Sequence, residues 1–395
     1  MTITLQSKMP MVVNLKVTRS RGLSLIELLI SMVLGLTLSA GVVQVYVSTT
    51  ITERSQDARL RLQENGRFAL NFLSQEIRMG GYLGCLGALR GLTVNNTLDS
   101  PPNSFQPEFG VQGWEADGTD PGTVNNSVAD VAVVASNTSE WTSDPGGVNV
   151  IPVVNAVPNS DIIRIWSATG SAGSVTAITQ GTPPTITAES AVGIQVNDFL
   201  IISDCEQADF VQACAVVADG GGATTSTITL STTCNPGNQA GVTISSFASG
   251  ASPAEVMLLQ GTLFYVGKRG DTATNSPALF QRQLSATGTA GAAEELIEGV
   301  ETMQILYGVN LDQDVRNTVD AYLPADQVPD WNDVISVRIS LLMQSIEDSI
   351  VPSAREYTFD GVTYGPAGAG SLPTDTRVRR VFTNTISLRN RVLGV

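Results

Sequence analysis

The sequence predicts an α+β protein in which one long N-terminal α-helix, membrane-crossing and then amphipathic, packs on an antiparallel β-sheet domain with long loops. Three observations carry that reading. Residues 23–47 form an apolar run, residues 48–79 repeat apolar positions at helical spacing with no proline, and beyond residue 80 short apolar segments alternate with Gly, Pro, Asn and Ser clusters. The expected divisions are a leader over residues 1–22, a stalk helix over 23–80 and a β-rich domain over 81–395.

The leader contains Lys8, Lys16, Arg19 and Arg21 and no acid. The whole chain has 22 Lys+Arg against 37 Asp+Glu, so residues 23–395 keep 18 basic against 37 acidic groups. That balance disfavours a nucleic-acid partner, because phosphate binding needs a positive face. The chain has no histidine, which excludes Ser-His and Cys-His nucleophiles, His-ligated zinc and the usual general base near neutral pH. Lys268 is the only lysine beyond the leader, so lysine chemistry would have to use it. No catalytic residue, resident metal or cofactor is predicted, and the protein is not expected to be an enzyme.

The apolar run 23–47 (LSLIELLISMVLGLTLSAGVVQVYV) carries only Glu27 and Tyr46 as ionisable groups and exceeds the roughly 20 residues a helix needs to cross a bilayer. Four positive charges precede it and a mixed segment follows, which puts the leader in the cytoplasm and the domain outside. A secretory signal peptide would have a shorter apolar core and a small-residue cleavage site. Gly35 and Gly41 interrupt the run and permit close helix packing. Glu27, five residues into the run, is the most informative residue, because a membrane carboxylate costs about 2.5–3.5 kcal/mol at the helix centre and somewhat less near an end, and so calls for a partner.

The pattern Arg21-Gly22-Leu23-Ser24-Leu25-Ile26-Glu27 resembles the class III signal of type IV prepilins and pseudopilins. That resemblance implies cleavage by a prepilin peptidase between Gly22 and Leu23 and N-methylation of Leu23. Leu23 stands where the family usually has Phe. It also implies that Glu27 meets the terminal amine of a neighbouring subunit and fixes register.

Downstream, Ile51, Ala58, Leu62, Ala69, Leu73 and Ile77 make one helix face, and Gly80-Gly81 ends it. Candidate strands lie at 128–135, 161–166, 194–203, 210–218, 224–230, 255–267 (two strands around Gly261), 278–284, 301–309, 333–343 and 377–389. Residues 292–299 (AAEELIEG) form a second helical candidate, and 92–127, 136–160 and 168–190 read as long loops. Cys85, Cys205, Cys214 and Cys234 lie beyond the span, an even number suited to two disulfides, with three connectivities open. The expected pairs are Cys85 with Cys205, which would pin the helix end to the sheet, and Cys214 with Cys234. Asn310, Asp312 and Asp314 alternate like calcium-loop ligands, but Val315 and Ala321 replace the glycine and glutamate an EF-hand requires, so they make only a weak metal candidate.

The C-terminal segments VETMQILYGVN (300–310), Trp331-Asn332-Asp333-Val334 with VISVRISLLMQS (334–345) and RRVFTNTISLRNRV (379–392) resemble the PilW type of minor pilin. They are similar, more distantly, to the J-type minor pseudopilin of type II secretion. The resemblance implies a low-abundance type IV pilus subunit that joins other minor pilins and pilus subunits in a priming or tip complex and helps display a PilY-type adhesin. It places the protein in the bacterial inner membrane, with the domain in the periplasm, and on the pilus after assembly. A reading of another class makes the domain an anchored carbohydrate-active or ligand-binding module.

Overall fold

The computed structural model describes residues 22, 24–84, 93–99, 106–124, 141–142, 153–189, 193–204, 206–218, 225–247, 254–269, 276–284, 291–312 and 318–390. The chain divides into two compact units, Met1–Arg54 and Ser55–Val395. Helix α1 (Leu25–Met79) begins in the first and ends in the second.

In the first unit every described helical side chain from Leu25 to Thr49 is exposed. The hydroxyls of Thr37, Thr49, Thr50 and Thr52 donate to backbone carbonyls three or four residues earlier, so these polar groups are satisfied within the helix itself.

In the second unit the helix is amphipathic. Leu62, Gly66, Ala69, Leu73 and Ile77 are buried, continuing the expected stripe, whereas Ile51 at its start is exposed. Gly81 closes the helix with φ +71 and donates its N–H to the Trp166 carbonyl at 2.9 Å. Gly66 is required by packing, because a Cβ there would overlap the Phe382 ring.

Eighteen strands follow among the described residues: β1 (Thr93–Asn96), β2 (Val111–Ala116), β3 (Trp141–Thr142), β4 (Ile162–Thr179), β5 (Thr185–Glu189), β6 (Phe199–Ser203), β7 (Gln207–Gln212), β8 (Ala215–Ala218), β9 (Thr225–Thr229), β10 (Glu255–Lys268), β11 (Pro277–Leu284), β12 (Glu294–Glu298), β13 (Val300–Val309), β14 (Ala321–Leu323), β15 (Val334–Gln344), β16 (Tyr357–Phe359), β17 (Val362–Tyr364) and β18 (Arg379–Ser387). Twelve form one sheet around the long central strands β4 and β10, four form a second in the order β14-β13-β15-β18, and β16 and β17 make a hairpin. Pairing is antiparallel except between β1 and β7. The architecture is the α+β class expected. The main core joins the helix stripe to Val300, Met303 and Ile305 of β13, Val337, Ile339 and Leu341 of β15, and Ile163 and Phe264 of the larger sheet. Full burial of each such side chain contributes about 1.5–3 kcal/mol.

Several local expectations are corrected. The 92–127 and 136–160 stretches are not all loop, because they contain β1, the wholly buried β2 and β3. Residues 292–299 do not form a helix, because β12 pairs with β11 and turns Ile297 into the core while Glu294 and Glu298 stay exposed. Gly261 does not divide two strands. It lies inside β10 opposite Trp166, and the absent side chain leaves room for the indole. The 168–190 stretch is largely strand, since β4 runs on to Thr179 and pairs with β5. Residues 210–218 split into β7 and β8, and the 194–203 segment becomes strand only at Phe199. Before it, Asp198 accepts from the Gln195 N–H at 2.7 Å and Asn197 has φ +78, which together make a turn. The 128–135 candidate lies outside the described residues.

Candidate functional site

The helix starts at Leu25, where the Ser24 carbonyl accepts from the N–H groups of Glu27 and Leu28 at 3.0 and 3.1 Å. That puts Glu27 in the first turn, where the positive end of the helix dipole favours a carboxylate. Its backbone carbonyl accepts from Ser31 Oγ at 2.6 Å, and among the described residues its carboxylate makes no ion pair. Gly22 is exposed, and a Cβ there would meet nothing within 4 Å. Leu23 lies outside the described residues. Around and beyond Glu27, Ile26, Leu28, Leu29, Ile30, Val33 and Leu34 are all more than half exposed, and the helix contains an 18-residue window of mean hydropathy 2.1 with none of it buried. Open space also surrounds Gly35 and Gly41. An apolar surface of this kind suits lipid or other helices.

The structure joins Cys214 to Cys234, with Cα atoms 5.2 Å apart. A buried amide network holds the bridge: Asn238 donates to the Gln212 carbonyl at 2.8 Å and accepts from the Gln212 N–H at 2.9 Å, while Gln212 Oε1 accepts from the Gly237 N–H at 2.7 Å. Cys85 and Cys205 lie outside the described residues. Their chain neighbours adjoin, since Ser203 Oγ donates to the Leu83 carbonyl at 2.9 Å. In the calcium-loop candidate, Asn310 is buried and Asp312 exposed, and the turn is organised by Asp320, which accepts from the N–H groups of Leu311 and Asp312. Asp314 lies outside the described residues.

The domain also contains buried ionisable groups that the sequence did not announce. Asp161 accepts from the N–H of Ala116 at 3.0 Å and of Ile305 at 2.7 Å, tying the larger sheet to β13. Glu115 accepts from the Ala325 N–H at 3.3 Å. Burial and the neighbouring Asp161 push Glu115 up to about 10, and burial lifts Asp161 well above the usual carboxylate range. Arg379 makes a fork between Glu301 at 2.6 Å and Asp375 at 2.6 Å, linking β18 to β13. Arg164 is stacked near Trp114 and Trp166 and bonded to Gln112. All of these groups join secondary-structure elements. A separate groove of 610 Å³, lined among others by Gln195, Asn197, Phe199, Leu258 and Gln283, has Asp198 as the one acid among its described lining residues.

Two stretches match known families. Residues 17–43 match the prokaryotic N-terminal methylation motif, and residues 263–390 match the family described as Type IV Pilus-assembly protein W. Together the matches support a PilW-type minor pilin. No curated protein and no solved structure matches the chain. The PilW match covers the four-stranded sheet whose β13 and β15 share a core with helix residues 62–77, and the methylation motif covers Gly22, Glu27 and the exposed apolar turns. The prepilin signal and the N-terminal apolar helix fit a membrane-anchored pilin, and the family suggests interaction with other pilus components. The families indicate a structural pilin subunit.

Proposed function

We propose that the protein is a low-abundance subunit of the type IV pilus, held in the inner membrane with residues 81–395 in the periplasm until assembly. In this reading a prepilin peptidase cuts between Gly22 and Leu23, Leu23 is methylated, and the exposed apolar helix bundles with the helices of other minor pilins in a priming or tip complex. That complex starts assembly and helps present a PilY-type adhesin. The carrying observation is the apolar helix surface, exposed all round within the first unit, with Glu27 four residues after Leu23. The carboxylate then meets the new terminal amine of a neighbour, an ion pair that offsets its cost in an apolar setting. A bridge from Cys85 to Cys205 belongs to the same reading, since their neighbours Leu83 and Ser203 are already bonded.

Glu27→Ala should leave the domain folded and the leader cleaved while reducing recovery of the subunit in sheared pili and cross-linked minor-pilin complexes at least tenfold. Unchanged recovery would refute the register role. Deleting the gene should abolish twitching and spare exoprotein secretion, and the reverse pattern would place the subunit in type II secretion.

A further inference from the structure

The four-stranded sheet ends in β18, an edge unlike the others. Its nine residues pair with β15 from Ser336↔Ser387 to Gln344↔Arg379 without a bulge, and it contains no proline. The other outer strands among the described residues are short: β1 and β8 have four residues, β14 three and β3 two. The five-residue β12 has three glutamates and a register shift in its pairing. Short length, charge and irregularity are the usual ways a protein closes a sheet edge to further pairing. β18 uses none of them in its central residues.

The direction of its free groups follows from the register. Leu388 donates to the Ile335 carbonyl at 2.9 Å, one residue beyond the pair Ser336↔Ser387. Hydrogen-bonded pairs alternate along an antiparallel ladder. Residues 380, 382, 384 and 386 therefore bond toward β15, and the N–H and C=O groups of Val381, Thr383, Thr385 and Ser387 point to the open side. Among the described residues only β15 pairs with β18: the helix covers one face, where Phe382 lies against Gly66 and Asn384 donates to Ser74 at 2.9 Å, and the β16–β17 hairpin packs over Leu342 and Val381 on the other. Thr383, Thr385 and Ser387 are exposed.

The charge at this edge opposes that of the rest of the domain. Residues 376–395 hold five arginines and no acid, in a chain with 37 acids against 22 bases. Arg379 is neutralised by Glu301 and Asp375, but Arg380 and Arg389 are exposed at either end of the open strand. On the neighbouring strand Arg338 lies 3.8 Å over Tyr322 and donates to Thr385 Oγ1 at 3.3 Å.

We propose that the edge of β18 takes up an extended acidic segment of a partner protein as a fifth strand. The backbone ladder supplies the affinity, and Arg380 and Arg389 select carboxylates. A second copy of β18 is disfavoured, because it would bring like charges to the same edge. The proposal rests on strand geometry and charge, and does not depend on the pilus reading.

The test uses the full chain in detergent micelles and a fluorescent nine-residue peptide alternating valine and glutamate, with a valine–lysine peptide as its counterpart. The glutamate peptide should bind saturably and at least tenfold more tightly than the lysine peptide. Amide exchange at Val381, Thr383, Thr385 and Ser387 should slow on binding. Thr383→Pro with Thr385→Pro removes two outward N–H groups while sparing the bonds to β15, and should weaken binding on the order of tenfold with little change in melting. Arg380→Glu with Arg389→Glu should reverse the peptide preference. The proposal is overturned if the glutamate peptide does not saturate, if the lysine peptide binds as tightly, or if the four amides exchange at unchanged rates. If the proline variant fails to fold, the exchange measurement on the unaltered chain still decides. Protection of those amides by self-association without peptide also overturns it.

Discussion

One helix, α1, behaves as two materials. From Leu25 to Val47 its large apolar side chains are exposed all round, whereas from Leu62 to Ile77 an apolar stripe is buried, flanked by the partly buried Leu70 and Phe72, and the opposite face is polar apart from Phe68. The backbone is helical in both, so secondary structure does not distinguish them. What differs is where the partners are. The second half finds its partner in the chain's own sheet, through contacts such as Phe72 on Phe264, ring centroids 6.0 Å apart. The first half, taken by itself, presents apolar side chains all round, the surface of a helix suited to lipid or other helices. In the proposed reading such a helix serves as an interface for an assembly while its continuation anchors a domain.

Leu73→Ala probes the buried half and should have the largest effect. Leu73 is fully buried, so truncation should cost the domain about 2–5 kcal/mol, measured as a lowered urea midpoint. Leu34→Arg probes the exposed half. It should leave domain melting unchanged and cost about 2.5–3.5 kcal/mol of membrane insertion, read as the fraction recovered with membranes. If Leu34→Arg destabilised the domain as Leu73→Ala does, the division between the halves would be wrong.

A smaller effect separates domain from helix by pH. Glu115 holds its proton in the fold up to about pH 10, whereas an unfolded glutamate releases it near 4.5. Between those values the unfolded chain binds fewer protons, so stability is greatest below the lower value and falls as pH rises. The slope is about 1.4 kcal/mol per pH unit for each such group. Urea midpoints should fall from pH 7 to 9, and Glu115→Gln should flatten the trend while helicity of the apolar half stays constant.

The apolar run, the helical stripe and the glycine stop at Gly80-Gly81 were legible in the sequence because each depends on local chemistry alone. The errors arose where a distant strand decides. Gly261 reads as a break until Trp166 is placed opposite it, and AAEELIEG favours a helix until β11 offers a pairing edge. The Ser/Thr/Gly texture of 168–190 resembles loop chemistry, but threonine also suits strands and the long β4–β5 pairing uses it. At the N-terminus, Gly22 and Glu27 stood out through their resemblance to the prepilin signal, and both fall within residues 17–43 that match the methylation motif. Asp161 and Glu115 gave no signal, since a lone acid beside a strand looks the same whether exposed or sealed between two sheets. The open edge of β18 was equally hidden, because strand order is a property of the fold.

The most direct test is the N-terminus of the protein purified from membranes or pili, determined by intact mass and terminal peptide sequencing. Removing 22 residues from 395 leaves a 373-residue chain beginning at Leu23 with one added methyl group, and that is the result the prepilin account requires. A chain that keeps residues 1–22, or one cut elsewhere within the apolar run, would contradict it and leave the helix as a simple anchor.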